Sequence, residues 1–129
     1  MCKVIGFIPC RAGSKRIIDK NLSIFNSKTL LQNTYDKAEL ANCIDHIVVS
    51  TDSLEYQESL KRGNKFIDIG LRSKNNSMDY STDFDVLKEV FEKLKDINLE
   101  FEYIIHLRPT YPALLAENID HAFNFFQKE

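Results

Sequence analysis

Apolar runs of strand length alternate with segments of helical period along this chain. Residues 4–8 predict a buried strand. A helical pattern begins at Lys28, with Leu30, Leu31, Thr34, Tyr35, Ala38 and Ala41 on one broad face and Asn42 as its stop. Ile44 leads into a second buried strand, Ile47-Val48-Val49-Ser50. Asp52 and Glu55 then have the spacing of a capping box, and the helix they open runs to Arg62, with Gly63 as its C-terminal stop. Residues 66–69 predict a short third strand, and residues 70–81 a polar loop long enough to have a task beyond connection. Ser81 or Thr82 caps a third helix whose apolar stripe is Val86, Leu87, Val90, Phe91 and Leu94. Residues 103–107 predict a fourth strand. Pro109 and Pro112 break regular structure, and residues 117–127 close the chain as a helix with Ile119, Ala122, Phe123 and Phe126 inward.

This alternation, with near-continuous apolar strands, predicts a parallel sheet covered on both faces: a Rossmann-like three-layer α/β/α sandwich. The 129 residues suffice for one domain, 1–129, with a core of its own. Right-handed crossovers place the loops after all four strands along one edge. Those loops hold residues 11–21, 51–52, 70–81 and 108–112, so the polar and charged residues gather where ligands bind in open α/β sheets. A formal charge of −2 gives no overall bias toward nucleic acid or an acidic membrane, so an anion site must be a local concentration of positive charge. No apolar run approaches the ~20 residues of a membrane span. Met1-Cys2-Lys3 leads straight into a strand without the pattern of a signal peptide. Cys2, Cys10 and Cys43 are odd in number and scattered, without metal-binding spacing, so a reduced, cytoplasmic protein is expected.

The local concentration lies just past the first strand. Arg11, Lys15, Arg16 and Lys20 surround Gly13 and Ser14. Such a cluster suits an anion of several charges, with Gly13 letting the backbone approach it; a solvated basic turn is the plainer reading. The segment lacks the three glycines of a dinucleotide fingerprint and the Gly-Lys-Ser/Thr of a P-loop, and no Gly-x-Ser-x-Gly elbow is present. Hydride transfer, Walker-type NTP hydrolysis and α/β-hydrolase chemistry are disfavoured accordingly.

Ile8-Pro9-x-Arg11-x-Gly13-Ser14-Lys15-Arg16-Ile17-x-x-Lys20-Asn21-Leu22 resembles the opening signature of the acylneuraminate cytidylyltransferases, the CMP-sialic acid synthetases. Val48-Val49-Ser50-Thr51-Asp52 resembles their second-strand motif. Asp79 with the Ser81 to Leu87 block, then His106-Leu107-Arg108-Pro109-Thr110-x-Pro112, resembles two further blocks in order and spacing. The resemblance implies a fold of nucleotide-diphospho-sugar transferase type, here truncated to its N-terminal part. It implies a magnesium-dependent enzyme that joins CMP from CTP to a nine-carbon sugar acid and releases pyrophosphate. Such chemistry rests on positioning and electrostatics.

By this resemblance Arg11 and Lys20 are the catalytic contacts to the triphosphate, with Gly13 and Ser14 supplying close backbone and hydroxyl contacts and Lys15 adding to the field. Asn21 reads the cytosine edge, unless it only turns the loop. Arg72 stands where the family contacts the nucleotide, and Asp79 matches an aspartate of the same block or flanks the next helix. Arg108 is placed to meet the sugar's carboxylate, with Thr110 as a further contact. His106 reads as packed, Asp52 as a helix cap, and Arg16 as surface charge.

Two departures stand out. Ser73-Lys74-Asn75-Asn76 replaces the family's Pro-x-Glu-Leu after Arg72, and Ala113-Leu114 replaces Leu-Arg after Pro112. Family enzymes are also much longer. Their second half supplies magnesium ligands, sugar contacts and a dimerisation element, so no metal ligand is assigned here and a homodimer lacks its usual element. Poor turnover, an open sheet edge and an open pocket wall are expected of this chain alone. No nucleic-acid or membrane partner is expected. The alternatives are a non-catalytic nucleotide-binding fragment or remnant of such an enzyme, and a flavodoxin-like signalling domain, which would need an acidic cluster where this chain is basic.

Overall fold

The computed structural model describes residues 3–10, 24–25, 28–74, 77, 82–109 and 115–128. Its strands are β1 (Val4–Pro9), β2 (Ile24–Phe25), β3 (Lys28–Thr29), β4 (His46–Ser50) and β5 (Tyr103–His106). Its helices are α1 (Leu30–Leu40), α2 (Leu54–Ser59), α3 (Asp83–Asp96) and α4 (Ala116–Lys128). β4, β1 and β5 form a parallel sheet in that order, with β1 in the centre.

Alternation along the strands sends side chains to two cores. Val4, Ile8, Ile47 and Val49 pack with Leu31, Tyr35 and Ala38 of α1 and Ile119 of α4. Ile5, Phe7 and Val48 pack on the other face against Val86, Val90 and Leu94 of α3. This is the three-layer α/β/α sandwich expected from the pattern. Gly6 lies mid-strand because Ile44 covers it: an added Cβ would stand 3.1 Å from Ile44 Cδ1.

The helix ends are set by local hydrogen bonds. The Thr29 hydroxyl accepts from the Gln32 amide and starts α1, while Lys28 and Thr29 pair with Phe25 and Ile24 in a small antiparallel ladder. The helix therefore starts two residues later than the pattern from Lys28 predicts, because the ladder with β2 takes those backbone groups. Ser53, rather than Asp52, caps α2 by accepting from Tyr56 N at 3.2 Å. α2 stops at Ser59, short of Arg62. A helix of six residues is not stable alone. Burial of Tyr56, which is fully inaccessible, contributes about 2–3 kcal/mol against about 1 for the cap, so packing holds this turn. Thr82 caps α3 in a full capping box with Asp85.

The third predicted strand shrinks to a single parallel bridge, Ile47 to Phe66, with Ile67 N donating to Ile47 O at 2.8 Å. Gly70, at φ 74°, turns the chain away soon after. α4 seats Ile119 in the core and Phe123 partly, but Ala122 and Phe126 are exposed, the latter 61%. Asp120 anchors this helix by accepting from the Asn42 and Cys43 amides at 2.9 and 2.7 Å.

Candidate functional site

The strand order creates a place for a ligand. From β1 the sheet runs one way to β4 and Phe66, and the other way to β5. The topological switch point therefore lies at the C-terminal ends of β1 and β5. Backbone chemistry opens it. Cys10 N donates to Ser50 O and Leu107 N donates to Phe7 O, so alternation directs the nitrogen of Pro9 toward the β5 side. Proline has no N–H to give. Pairing with β5 ends at Phe7 and His106, whereas pairing with β4 continues to Pro9 and Ser50. β1 and β5 therefore part at Pro9, just before the basic segment in the sequence.

Two of the predicted site residues are described, and they flank this point. Arg72 lies over the end of β4. Its Nε donates to Ser50 Oγ at 3.0 Å, its Nη2 to Ser50 O at 2.9 Å, and its backbone N to Thr51 O at 2.6 Å. Gln57 holds the same segment by donating to Gly70 O, and Lys93 of α3 donates to Leu71 O. Arg108 lies beyond the end of β5 and pairs with Asp83 in the first turn of α3. Both partners are 59% exposed, so the pair is weak and easily exchanged. Arg11, Gly13, Ser14, Lys15, Lys20, Asn21, Asp79 and Thr110 lie outside the described residues.

The neighbouring groups are quiet. Cys10 is buried, and burial pushes its thiol up to about 12 although the Thr51 hydroxyl and Arg72 pull the other way. His106 stacks on Phe7 with ring centroids 5.2 Å apart, and burial, then Arg108, lower its pKa. Apart from this ring contact His106 is exposed, so the packed position expected of it is met only in part. A cleft of about 560 Å³ between the 71–73 segment and α3 presents Asp85, Glu89, Glu92 and Asp96 against Lys88 and Lys93. Its net acidity opposes a polyphosphate, so it is not the anion site. Among the described residues no group of three or more His, Cys, Asp or Glu side chains gathers to hold a metal.

Sequence reasoning missed the partners that place the arginines: Ser50 for Arg72 and Asp83 for Arg108. Both lie far from them in the chain, so only the order of the strands reveals them. The Thr82 and Asp85 capping box carried a signal, a Thr three residues before a carboxylate.

A family model described as cytidylyltransferase matches residues 5–129. The chain belongs to the cytidylyltransferase family. It is 31% identical over 120 residues to the CMP-N,N'-diacetyllegionaminic acid synthase of Legionella pneumophila, covering 93% of this chain and 51% of that protein. It is 35% identical over 127 residues to the N-acylneuraminate cytidylyltransferase of Streptococcus agalactiae, covering 96% of this chain and 29% of that protein. The fold is also similar to that of a CMP:2-keto-3-deoxy-manno-octonic acid synthetase solved with CTP. That match has a TM-score of 0.75 at 23% identity and covers 98% of this chain and 48% of the other. The cytidylyltransferase chain described here thus spans about half the length, or less, of the relatives it matches.

Proposed function

We propose that this chain is the CTP-binding part of a cytidylyltransferase that joins CMP to a sugar acid of the sialic type. In that reaction the anomeric hydroxyl attacks the α-phosphorus of CTP, the bond to the β,γ-diphosphate breaks, and pyrophosphate leaves. The observation that carries the reading is the parting of β1 from β5 at Pro9, two residues before the Arg11 to Lys20 segment in the sequence, with Arg72 and Arg108 on either side. A charged tail there meets cations from several directions, which stabilises charge that grows on the phosphoryl oxygens and the leaving group.

In this reading Arg11 and Lys20 hold the triphosphate, Gly13, Ser14 and Lys15 complete its cradle, and Asn21 reads the base. Arg72 shapes the rim next to the nucleotide, with Asp79 beside it. Arg108 exchanges Asp83 for the sugar's carboxylate, and Thr110 supports it. Magnesium, implied by the resemblance, is assigned no ligand in this chain and no step. The sugar is a nine-carbon acid of the sialic, legionaminic or pseudaminic kind, or the related eight-carbon acid. No described helix is long and apolar enough to cross a membrane. The free thiols of Cys10 and Cys43 suit a reduced compartment such as the cytoplasm.

Because the chain spans about half of its relatives, binding without efficient turnover is the expected behaviour. Calorimetric titration with CTP and with ATP, each with and without magnesium, tests the reading. Selective binding of CTP that Arg11→Ala and Lys20→Ala abolish supports it. Equal, weak binding of either nucleotide would reduce the segment to a generic basic turn. A coupled pyrophosphate-release assay should show slow turnover or none.

A further inference from the structure

The helix that Asp83 begins is capped without it. Thr82 Oγ1 accepts from Asp85 N, and Asp85 Oδ2 accepts from Thr82 N, both at 3.1 Å. The Asp83 carboxylate instead meets Arg108, 25 residues on, through one hydrogen bond from Nη2 to Oδ2. α3 is seated on the sheet by Val86, Val90 and Leu94 against Ile5, Phe7 and Val48, so a fixed element carries Asp83 to the end of β5. The His106 ring senses both charges. Burial lowers its pKa most, Arg108 adds to that, and Asp83 opposes it. A helix start in this place ordinarily attracts phosphate, through free amides and a partial positive charge. Here the capping box engages the Thr82 and Asp85 amides, and Asp83 and Asp85 put two negative charges in the first turn. The cleft along α3 is net acidic as well.

An anion of several charges that reached Arg108 would therefore face Asp83 too. A single carboxylate differs. It fits the planar guanidinium with two parallel hydrogen bonds, where Asp83 makes one, and it brings only one charge. The pair is exposed on both sides, hence weak enough to exchange. We propose that Asp83 is a specificity-determining residue: as the resident counter-ion of Arg108 it reserves that arginine for a ligand's carboxylate and keeps nucleotide phosphates and released pyrophosphate away from it. Repulsion of the wrong anion supplies the discrimination. Asp83 acts through Arg108, so it is a positioning residue. This role rests on the proposed cytidylyltransferase reading for the identity of the two anions.

The Arg108 Nε–Hε NMR signal tests it as N-acetylneuraminate, its methyl ester or inorganic pyrophosphate is added to this chain at neutral pH. In the parent, N-acetylneuraminate should move the signal at lower concentration than pyrophosphate, and the ester should leave it in place. Asp83→Asn should shift that preference toward pyrophosphate by about tenfold, since a nearby charge repels a trianion about three times as strongly as a monoanion. Asp83→Glu keeps the charge and should keep the parental preference. A merely structural role would change stability and leave the preference where it was. An unchanged preference in Asp83→Asn overturns the proposal. So does a parent whose Arg108 signal ignores N-acetylneuraminate, answers the ester equally or answers pyrophosphate first. Asp83 is exposed and lies outside the cap, so both variants should fold. Selective CTP binding, tested at Arg11 and Lys20, can fail while Arg108 still prefers the carboxylate, and the reverse, so the two readings fall separately.

Discussion

Arg72 clamps the final residue of β4: its guanidinium donates to the Ser50 hydroxyl at 3.0 Å and to the Ser50 carbonyl at 2.9 Å. The same carbonyl accepts the amide of Cys10, the first residue past β1. One carbonyl thus ties together the exits of two strands and the segment after Gly70. Arg72→Ala should cost roughly 1.5–3 kcal/mol in urea unfolding, the range for hydrogen bonds to a charged donor. Arg72→Lys keeps the charge but not the planar fork, and should recover only part of the loss. An Ala variant as stable as the parent would show that the clamp holds nothing.

The clamp also shares the Ser50 carbonyl with the Cys10 amide, and its charge reaches the buried Cys10 thiol. With its pKa pushed to about 12 by burial, this thiol is neutral at ordinary pH and shielded as well. Cys43 is likewise raised to about 12, by burial and by Asp120. In the folded protein iodoacetamide at mildly alkaline pH should leave Cys10 unmodified in a peptide map. Arg72→Ala should speed its alkylation by about tenfold or more through local opening, and leave Cys43 unchanged. Reaction of Cys10 in the parent at the rate of denatured protein would contradict its burial.

His106 reports on the Arg108 and Asp83 pair. Burial lowers its pKa most, Arg108 lowers it further, and Asp83 opposes both. Arg108→Ala should therefore move its NMR titration midpoint up, and Asp83→Ala should move it down. Shifts in the same direction for both variants would mean that the pair does not face this ring. A sugar acid that draws Arg108 from Asp83 should also shift the midpoint, whereas a neutral sugar should not.

Asp120 links stability to pH. Burial raises its pKa, but the amides of Asn42 and Cys43 and the Cys43 thiol outweigh that, so the net value lies below the ordinary 3.8. A carboxylate depressed in the folded state contributes stability that is complete above the unfolded value and fades as pH falls through the folded one. Asp120→Asn should cost about 1 kcal/mol near neutrality, modest because the site is partly solvated. The gap between variant and parent should hold down to about pH 5 and then narrow below the unfolded value. A gap that widens with acid would reverse the assignment.

Much of this architecture was legible in the sequence because the buried strands are short, continuous and β-branched. Val4 to Ile8 and Ile47 to Val49 leave little choice of period, and Thr82 marks a helix start by simple chemistry, whereas the Thr29 cap of α1 went unread. The weaker elements were decided elsewhere. Residues 66–69 carry strand-like apolar spacing, yet they hold one bridge because Gly70 turns the chain away. α2 ends before Gly63 because Leu60 is extended and the Gln32 side chain of α1 takes both the amide and the carbonyl of Lys61. For the site, motifs picked out Arg72 and Arg108 individually. Their anchors, Ser50 and Asp83, lie 22 and 25 residues away and could be found only once the sheet order was known.

The central position of β1 has a consequence for how such a protein is made. The strand and the cationic segment behind it are synthesised before β4, and β5 follows only near residue 103. Closing so long a span before any contact rewards it slows folding. The C-terminal end of β1 is thus made before both of its neighbours and is fixed only after β5 has followed. Under the proposed function, binding of a phosphate tail would report that β1, β4 and β5 have come together.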